Sequence, residues 1–419
     1  MISLTAARER AMLVTFAGLQ FSHILDFMIL APLGPQFMRL WSIGATEFSW
    51  LVSIYSISAA AAGIVATFFI DRFDRRRSLL ALFAGFTIAT ALCAFATSFY
   101  SLVLIRAIAG IFGGIISPVV MAIVSDVIPE ERRGRGMGVV MGAFPIVAVA
   151  GVPIGLALAN AFDWRAPFIF LGIVGTLLWI ACWYVVPPIV AHVKSAESRE
   201  TIGDFLDLFR VRNHRLALLC MAIFTFSGFS LFAFISVYQV RNIGITEADL
   251  ASVYFAGGVA TIFTSRLFGK MTDRYGKRRM FVILCLIACV PMLIFTHMGR
   301  APLWGACAIA VFFMVFVSGR FIPLMAFISM CVNPKVRGAF MSLQSAVQSL
   351  ASGLAVLLAG AVIGTAANGA MTNFNVVGIY AVAAALICVW LAFLLQPLTA
   401  DQPASNAANA AATPASTVR

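Results

Sequence analysis

The sequence runs to 419 residues, of which 62% are hydrophobic and 11% charged, with a mean hydropathy of +0.99. Soluble domains carry about 45–50% apolar and about 25% charged residues, so a water-soluble core is excluded. The net charge of +12 sits in short clusters between apolar runs, which is how membrane-protein loops look and not how a nucleic-acid surface does.

Apolar windows predict twelve spans, at about 11–36, 47–70, 78–98, 101–125, 135–160 and 165–187, then at about 216–239, 249–271, 280–298, 302–331, 338–364 and 374–396. Each is long enough to cross a hydrocarbon layer of ~30 Å as a helix. The runs are continuous rather than alternating, which excludes a porin-like barrel. The basic residues before span 1 are followed by no small-residue cleavage site, so that span is expected to be retained.

Span 1 carries Asp26, the one acid of 17 that falls near the centre of a span. An ionisable group at that depth is a functional candidate by default. Burial would let Asp26 cycle between charged and neutral forms. At a rise of about 1.5 Å per residue, Asp26 and Arg106 of span 4 both lie ~22 Å from the inner surface. Arg106 is therefore predicted to pair with ionised Asp26 until protonation or substrate breaks the pair. The plainer alternative is that Arg106 caps carbonyls and Asp26 only ties helices together. His23, three residues before Asp26, shares its helical face and reads as a proton relay or as a hydrogen-bonded packing histidine.

After span 2 comes "IDRFDRRRSLL", Ile70 to Leu80. An acid at a helix C-terminus is unfavourable alone, and neighbouring guanidinium groups compensate it. Such a cluster serves either as a latch between helix bundles or as a topology signal on a solvated loop. Asp74 among Arg72, Arg75, Arg76 and Arg77 is expected to form a local ion-pair network. Span 5 holds Gly142, Pro145, Gly151, Pro153 and Gly155: small residues let helices approach and prolines kink them, although a generic packing helix would look the same.

The polar segment Ala191 to Arg215 has Ile202, Phe205, Leu206, Leu208 and Phe209 at roughly helical spacing. It is an amphipathic helix on the membrane face or a plain linker. The expected organisation is a first bundle over 1–190, a linker over 191–215, a second bundle over 216–398 and a disordered tail over 399–419. In span 10, Arg320 precedes Pro323; it either attracts an anionic group of a substrate or pairs with Gln344 or Gln348 of span 11. Arg266 can snorkel. The eight cysteines show no metal-ligand spacing and read as small apolar packers.

Of 29 Lys and Arg, four fall in outside loops (Arg39, Arg165, Arg241, Arg300), three lie in spans, and 22 remain inside if the N-terminus is cytoplasmic. That bias predicts both termini inside. A repeat supports the span count. Asp71-Arg72-Phe73 recurs 202 residues later as Asp273-Arg274-Tyr275, and "ERRGRGMG" at Glu131 is matched by "KVRGAFMS" at Lys335. Matching phrases at matching positions imply two bundles related about the membrane normal. The fold expected is an all-α polytopic membrane protein, twelve transmembrane helices in two pseudo-symmetric six-helix bundles.

On these features the chain resembles the major facilitator superfamily. "GKMTDRYGKRR" fits that family's loop motif at Gly269, Asp273, Arg274, Gly276, Lys277 and Arg278. "LDFMILAPLGPQF", Arg106 with "AGIFGG", "PEERRGRGMG" and "GVPIGLALANAFDWRAPF" narrow the likeness to twelve-span drug:proton antiporters of the arabinose-efflux-permease-like branch. The resemblance implies a gating latch at Asp71, Arg72 and Arg75, with Asp126 at the inner end of span 4. It also implies an antiporter motif in span 5 that seals the bundle interface, here written Gly-Val-Pro-Ile-Gly.

The leading expectation is a secondary active transporter in a bacterial inner membrane. It would export a small organic compound (a drug, sugar or nucleoside-like metabolite) in exchange for protons by alternating access. A proton-coupled importer or facilitator, or a receptor that transports nothing, are the alternatives. No nucleophile constellation, metal cluster or phosphate-cradling loop points to an enzyme or an ATP-driven pump. The expected partners are a small-molecule substrate and the lipid bilayer, with no nucleic acid, no cofactor beyond the proton gradient, and a monomeric state.

Overall fold

A computed structural model describes residues 5–67, 73–187, 208–333 and 336–397. Asp71 and Arg72, the linker positions Ile202, Phe205 and Leu206, and the 399–419 tail lie outside the described residues.

The twelve expected spans are present. They are α1 Ala6–Leu40, α2 Ala45–Ala66, α3 Arg75–Cys93, α4 Phe99–Val127, α5 Arg132–Ala161 and α6 Ala166–Val185, followed by α7 Arg212–Ile243, α8 Glu247–Tyr275, α9 Lys277–His297, α10 Leu303–Cys331, α11 Gly338–Val362 and α12 Phe374–Leu394. Helices satisfy their backbone groups internally, which hydrocarbon demands. Local caps set several starts. Ser98 and Ser101 form a capping box at α4, and the Thr246 hydroxyl accepts from the Asp249 amide at α8; each satisfies an amide the first turn leaves open. Between α11 and α12, β1 (Gly364–Thr365) and β2 (Met371–Thr372) pair antiparallel with Gly364 opposite Thr372.

With an even number of spans, the first and last described residues share one face, called here the termini face. The helices form two six-helix bundles, α1–α6 and α7–α12, with related packing. The pairs α2–α4, α3–α6 and α1–α6 of the first half correspond to α8–α10, α9–α12 and α7–α12 of the second. Across the halves, α2 packs on α11 and α5 on α8, which the same pseudo-symmetry relates.

Four spans depart from regular helix, the first being α1, which breaks at Ile29 between Ala6–Met28 and Leu30–Leu40. α5 takes a π-helical turn at Val147–Gly151 and α7 another at Gln239–Ile243, while α10 breaks at Arg320 between Leu303–Gly319 and Phe321–Cys331. The apolar cores are also unevenly shared. One cluster, with Phe37, Phe48, Phe234 and Val237, crosses both halves toward the face opposite the termini. Toward the termini face the cores are separate, around Phe16 and Phe83 in one half and Phe281 and Phe340 in the other. Exposed Leu104, Leu177, Phe263 and Trp390 face outward, where lipid tails suit them.

Candidate functional site

The depth match between α1 and α4 is met by contact. Arg106 Nη1 donates to Asp26 Oδ2 at 2.7 Å, and both side chains are 0% exposed. The hydroxyl of Thr90 on α3 donates to the other carboxylate oxygen at 3.3 Å. Tyr55 of α2 lies under the guanidinium, whose carbon is 4.4 Å from the ring centroid. Two glycines of α4 make room for Tyr55: a Cβ at Gly110 would collide with its carbonyl oxygen, and one at Gly113 with its hydroxyl. Arg106 keeps Nε and Nη2 without a hydrogen-bond partner among the described residues. The pair is neutral while Asp26 is ionised. A proton on Asp26 would leave Arg106 with its ring and no counter-charge.

His23 stands at the wall of this pocket, its ring 6.3 Å from Tyr55 and 5.9 Å from Phe86. Its Nδ1 reaches no hydrogen-bond partner among the described residues, and no hydrogen bond is described between it and Asp26. Tyr55 and Thr90 escaped the sequence reading because neutral side chains in apolar spans look like packing. The nearest signal was the small residues Ala109, Gly110, Gly113 and Gly114 of α4, which admit a close neighbour.

The halves are clasped on the face away from the termini. Arg39, at the end of α1, makes a bidentate pair with Glu247 at the start of α8, at 2.5 and 3.0 Å. Asn160 Nδ2 donates to the Glu247 carbonyl at 3.3 Å, and the Thr46 hydroxyl to the Gly360 carbonyl at 3.0 Å. Every hydrogen bond and ion pair described between residues of the two halves belongs to this set. Deeper in, Phe27 meets Phe229 at 5.8 Å. Close packing across the interface depends on Gly258 of α8 against Ala148 and on Gly353 and Gly360 of α11 against α2. Farther toward the termini, α2 borders a hollow of about 500 Å³ lined by Ser58, Ala61, Ala62, Val65 and Ala66 with Phe73, Ile111 and Ile115, all of the first half.

The two copies of the loop phrase are built differently. In the first, Asp74 caps α3, its Oδ1 accepting from the amides of Arg76 at 2.7 Å and Arg77 at 3.4 Å. Arg75 pairs with Asp126 at 2.6 Å, tying α3 to α4 inside one half. In the second, Gly276 joins α8 to α9 at φ +93°, a conformation that favours glycine. Gly269 has open space beside it. Asp273 and Arg274 are exposed, Arg274 lying over the Tyr275 ring. Arg278 donates to the Leu395 carbonyl at 2.6 Å, and Lys277 points to Met330.

In α5, Gly151 and Gly155 face Leu25 and Ile29 of α1, a contact within the first half. Pro153 follows the π-turn near the start of the next helical stretch, and Gly142 ends the stretch before it. The expected seal between bundles therefore falls to Ala148 against Gly258.

Arg320 is fully buried and does not pair with either glutamine. Its Nε donates to the Val317 carbonyl and its Nη2 to the Ser227 hydroxyl, both at 3.2 Å. The guanidinium carbon lies 4.9 Å from the Phe224 ring centroid. Gln344 turns instead to Met325 Sδ at 3.2 Å, and Gln348 is half-buried. Among the described residues, no cluster of His, Cys, Asp and Glu could hold a metal ion.

Comparison with known proteins gives these features a family context. The Major Facilitator Superfamily model matches residues 16–356 and 217–418. "Uncharacterized MFS-type transporter YceJ" of Bacillus subtilis (strain 168) is 23% identical over 86% of this chain and 92% of its own length. "Multidrug resistance protein 2" of the same organism is 24% identical over 64% of this chain and 68% of its own. A "Probable sugar efflux transporter" of Helicobacter pylori (strain ATCC 700392 / 26695) is 24% identical over 60% of this chain and 61% of its own. Among solved structures, a bacterial homolog of the human lysosomal transporter Spinster, inward-facing and occupied, superposes with a TM-score of 0.73 at 16% identity. That likeness covers 94% of this chain and 97% of the other.

Proposed function

The chain belongs to the Major Facilitator Superfamily and is a membrane transporter, and on that premise we propose that it exports a small organic compound in exchange for protons. The observation that carries this reading is the buried Asp26–Arg106 pair. It is the one described ion pair with both partners at zero exposure, in a chain whose other acids lie in loops or at helix ends. An intramembrane carboxylate that can be neutralised is what proton coupling requires. Protonation of Asp26 frees Arg106 from its counter-charge, and the two bundles then rock about the space between them. Efflux as the direction draws support from the printed names of two relatives. The Lys and Arg bias supports a cytoplasmic termini face, and the bacterial relatives support an inner membrane. The protein works as a monomer in this reading, because each copy carries its own pair.

The clasp at Arg39–Glu247 supports reading the structure as closed on the face away from the termini, which is the outer side in this reading. In the opposite state the clasp opens and the termini ends of α2 and α11 draw together. Survival of a transporter-deficient bacterial host on a panel of drugs, sugars and nucleosides identifies a transported compound. Everted vesicles then test the coupling: an acidified lumen should draw that compound inward. Indifference to the gradient would reject proton exchange.

A further inference from the structure

Arg320 is a buried cation that the coupling described above does not use. It resembles Arg106 in construction: each sits in the fourth helix of its half with its guanidinium on an aromatic ring of another helix. The difference is the counter-charge. Arg106 has Asp26. The described acids of the second half are Glu247, Asp249 and Asp273, all near the ends of α8, and none of them pairs with Arg320. Val317 and Ser227 offer only neutral oxygens, and Nη1 reaches no hydrogen-bond partner among the described residues. A buried charge is costly unless an opposite charge meets it.

We propose that the missing charge arrives with the transported compound: Arg320 binds the carboxylate of an organic monoanion with an apolar, aromatic body. This deepens the transporter reading and rests on it. Nε donates to Val317 and one Nη2 hydrogen to Ser227, which leaves the Nη1–Nη2 edge for one carboxylate and argues against a doubly charged phosphate. Gly228 supplies the approach. It is partly exposed, and Arg320 Nη2 lies 3.7 Å behind the place a Cβ on Gly228 would take. The next residue, Phe229, meets Phe27 across the two halves, so the helix that carries Gly228 borders the other bundle at this level. The two rings there suit an aromatic body.

The probe is sodium benzoate, compared with its neutral isostere benzamide and with sodium chloride at equal concentration. Thermal unfolding of the full chain in detergent reads binding without any gradient. Benzoate should raise the unfolding temperature, and benzamide and chloride should not. Arg320→Gln should weaken the apparent benzoate affinity by about tenfold or more, the scale of a lost charged hydrogen bond. Without benzoate, that variant should unfold no earlier than the parent, because an uncompensated charge has gone. Gly228→Ala meets only ordinary van der Waals distances, so it should fold and still weaken benzoate binding. Should Arg320→Gln fail to fold, Gly228→Ala and Arg320→Lys carry the test, with Lys retaining part of the affinity. Equal effects of benzamide, an undiminished benzoate shift in the variants, or chloride reproducing the whole shift would overturn the proposal; the last would mark a resident inorganic anion. Benzoate bound through Arg320 but unmoved by a proton gradient would instead reject the transport reading and leave the site standing.

Discussion

Tyr55 holds Arg106 on the side that Asp26 leaves open, and the two glycines of α4 admit it. A Cβ at Gly113 meets the Tyr55 hydroxyl and, at 3.1 Å, His23. Gly113→Ala should therefore cost about 1–3 kcal/mol of stability, the usual penalty of overpacking. Because the obstacle is chiefly a hydroxyl with no hydrogen-bond partner among the described residues, Tyr55→Phe should be nearly neutral alone and should restore part of that loss. Thermal unfolding of the two single variants and the double variant measures it; no rescue would mean that His23 or the ring body sets the limit. At this scale the sequence was informative where charge was concerned. Asp26 and Arg106 stood out as rare charges in apolar helices, and helical rise placed them level. Tyr55 and Thr90 were not legible, since nothing in a span distinguishes a neutral side chain aimed at a carboxylate from one that packs.

Helices α3 and α9 begin with the two copies of one charged phrase, yet their first turns are held by different chemistry. Asp74 caps α3 through backbone amides at φ −56°, whereas Gly276 turns at φ +93°. Asp74→Gly should cost only a few tenths of a kcal/mol and Asp74→Ala about 1 kcal/mol, as at other N-caps. Gly276→Ala should cost about 1–2 kcal/mol, because a side chain is strained there. Unfolding midpoints of the three variants give the comparison; equal losses for Asp74→Gly and Gly276→Ala would contradict it. Span number and position were readable from apolar windows, since a helix must match the hydrocarbon thickness. The π-turns of α5 and α7 were not, because an apolar window does not register one extra residue in a helical turn. The glycines of α5 signalled close approach but not against which helix, and the partner proved to be α1.

On the scale of the whole molecule, the cores are separate at the termini face and shared opposite, which suits one end of the proposed rocking motion. The clasp between Arg39 and Glu247 is bidentate but partly exposed, with Arg39 at 68% and Glu247 at 19%. Exposed pairs contribute about 0.2–1 kcal/mol. Glu247→Gln should thus move the balance toward the state open on the face away from the termini by about 1.4- to 5-fold, read as faster labelling of a cysteine placed at Phe48. Unchanged labelling would show that the apolar core alone holds the closure. The two-bundle plan was legible from the repeat, because duplicated phrases fell at equivalent helix ends. The clasp was not: its partners lie 208 residues apart, and charges in outer loops carry no spacing that names a partner.

The central claim is that Asp26 carries the proton, and Asp26→Asn tests it most directly. The variant keeps a polar side chain beside Arg106 and Thr90 but cannot take on and release a proton in the working range. In proteoliposomes loaded with the compound to which the parent confers resistance, the variant should still exchange labelled for unlabelled compound across the membrane. It should fail to concentrate that compound when a proton gradient is imposed. Full gradient-driven accumulation by Asp26→Asn would contradict the account.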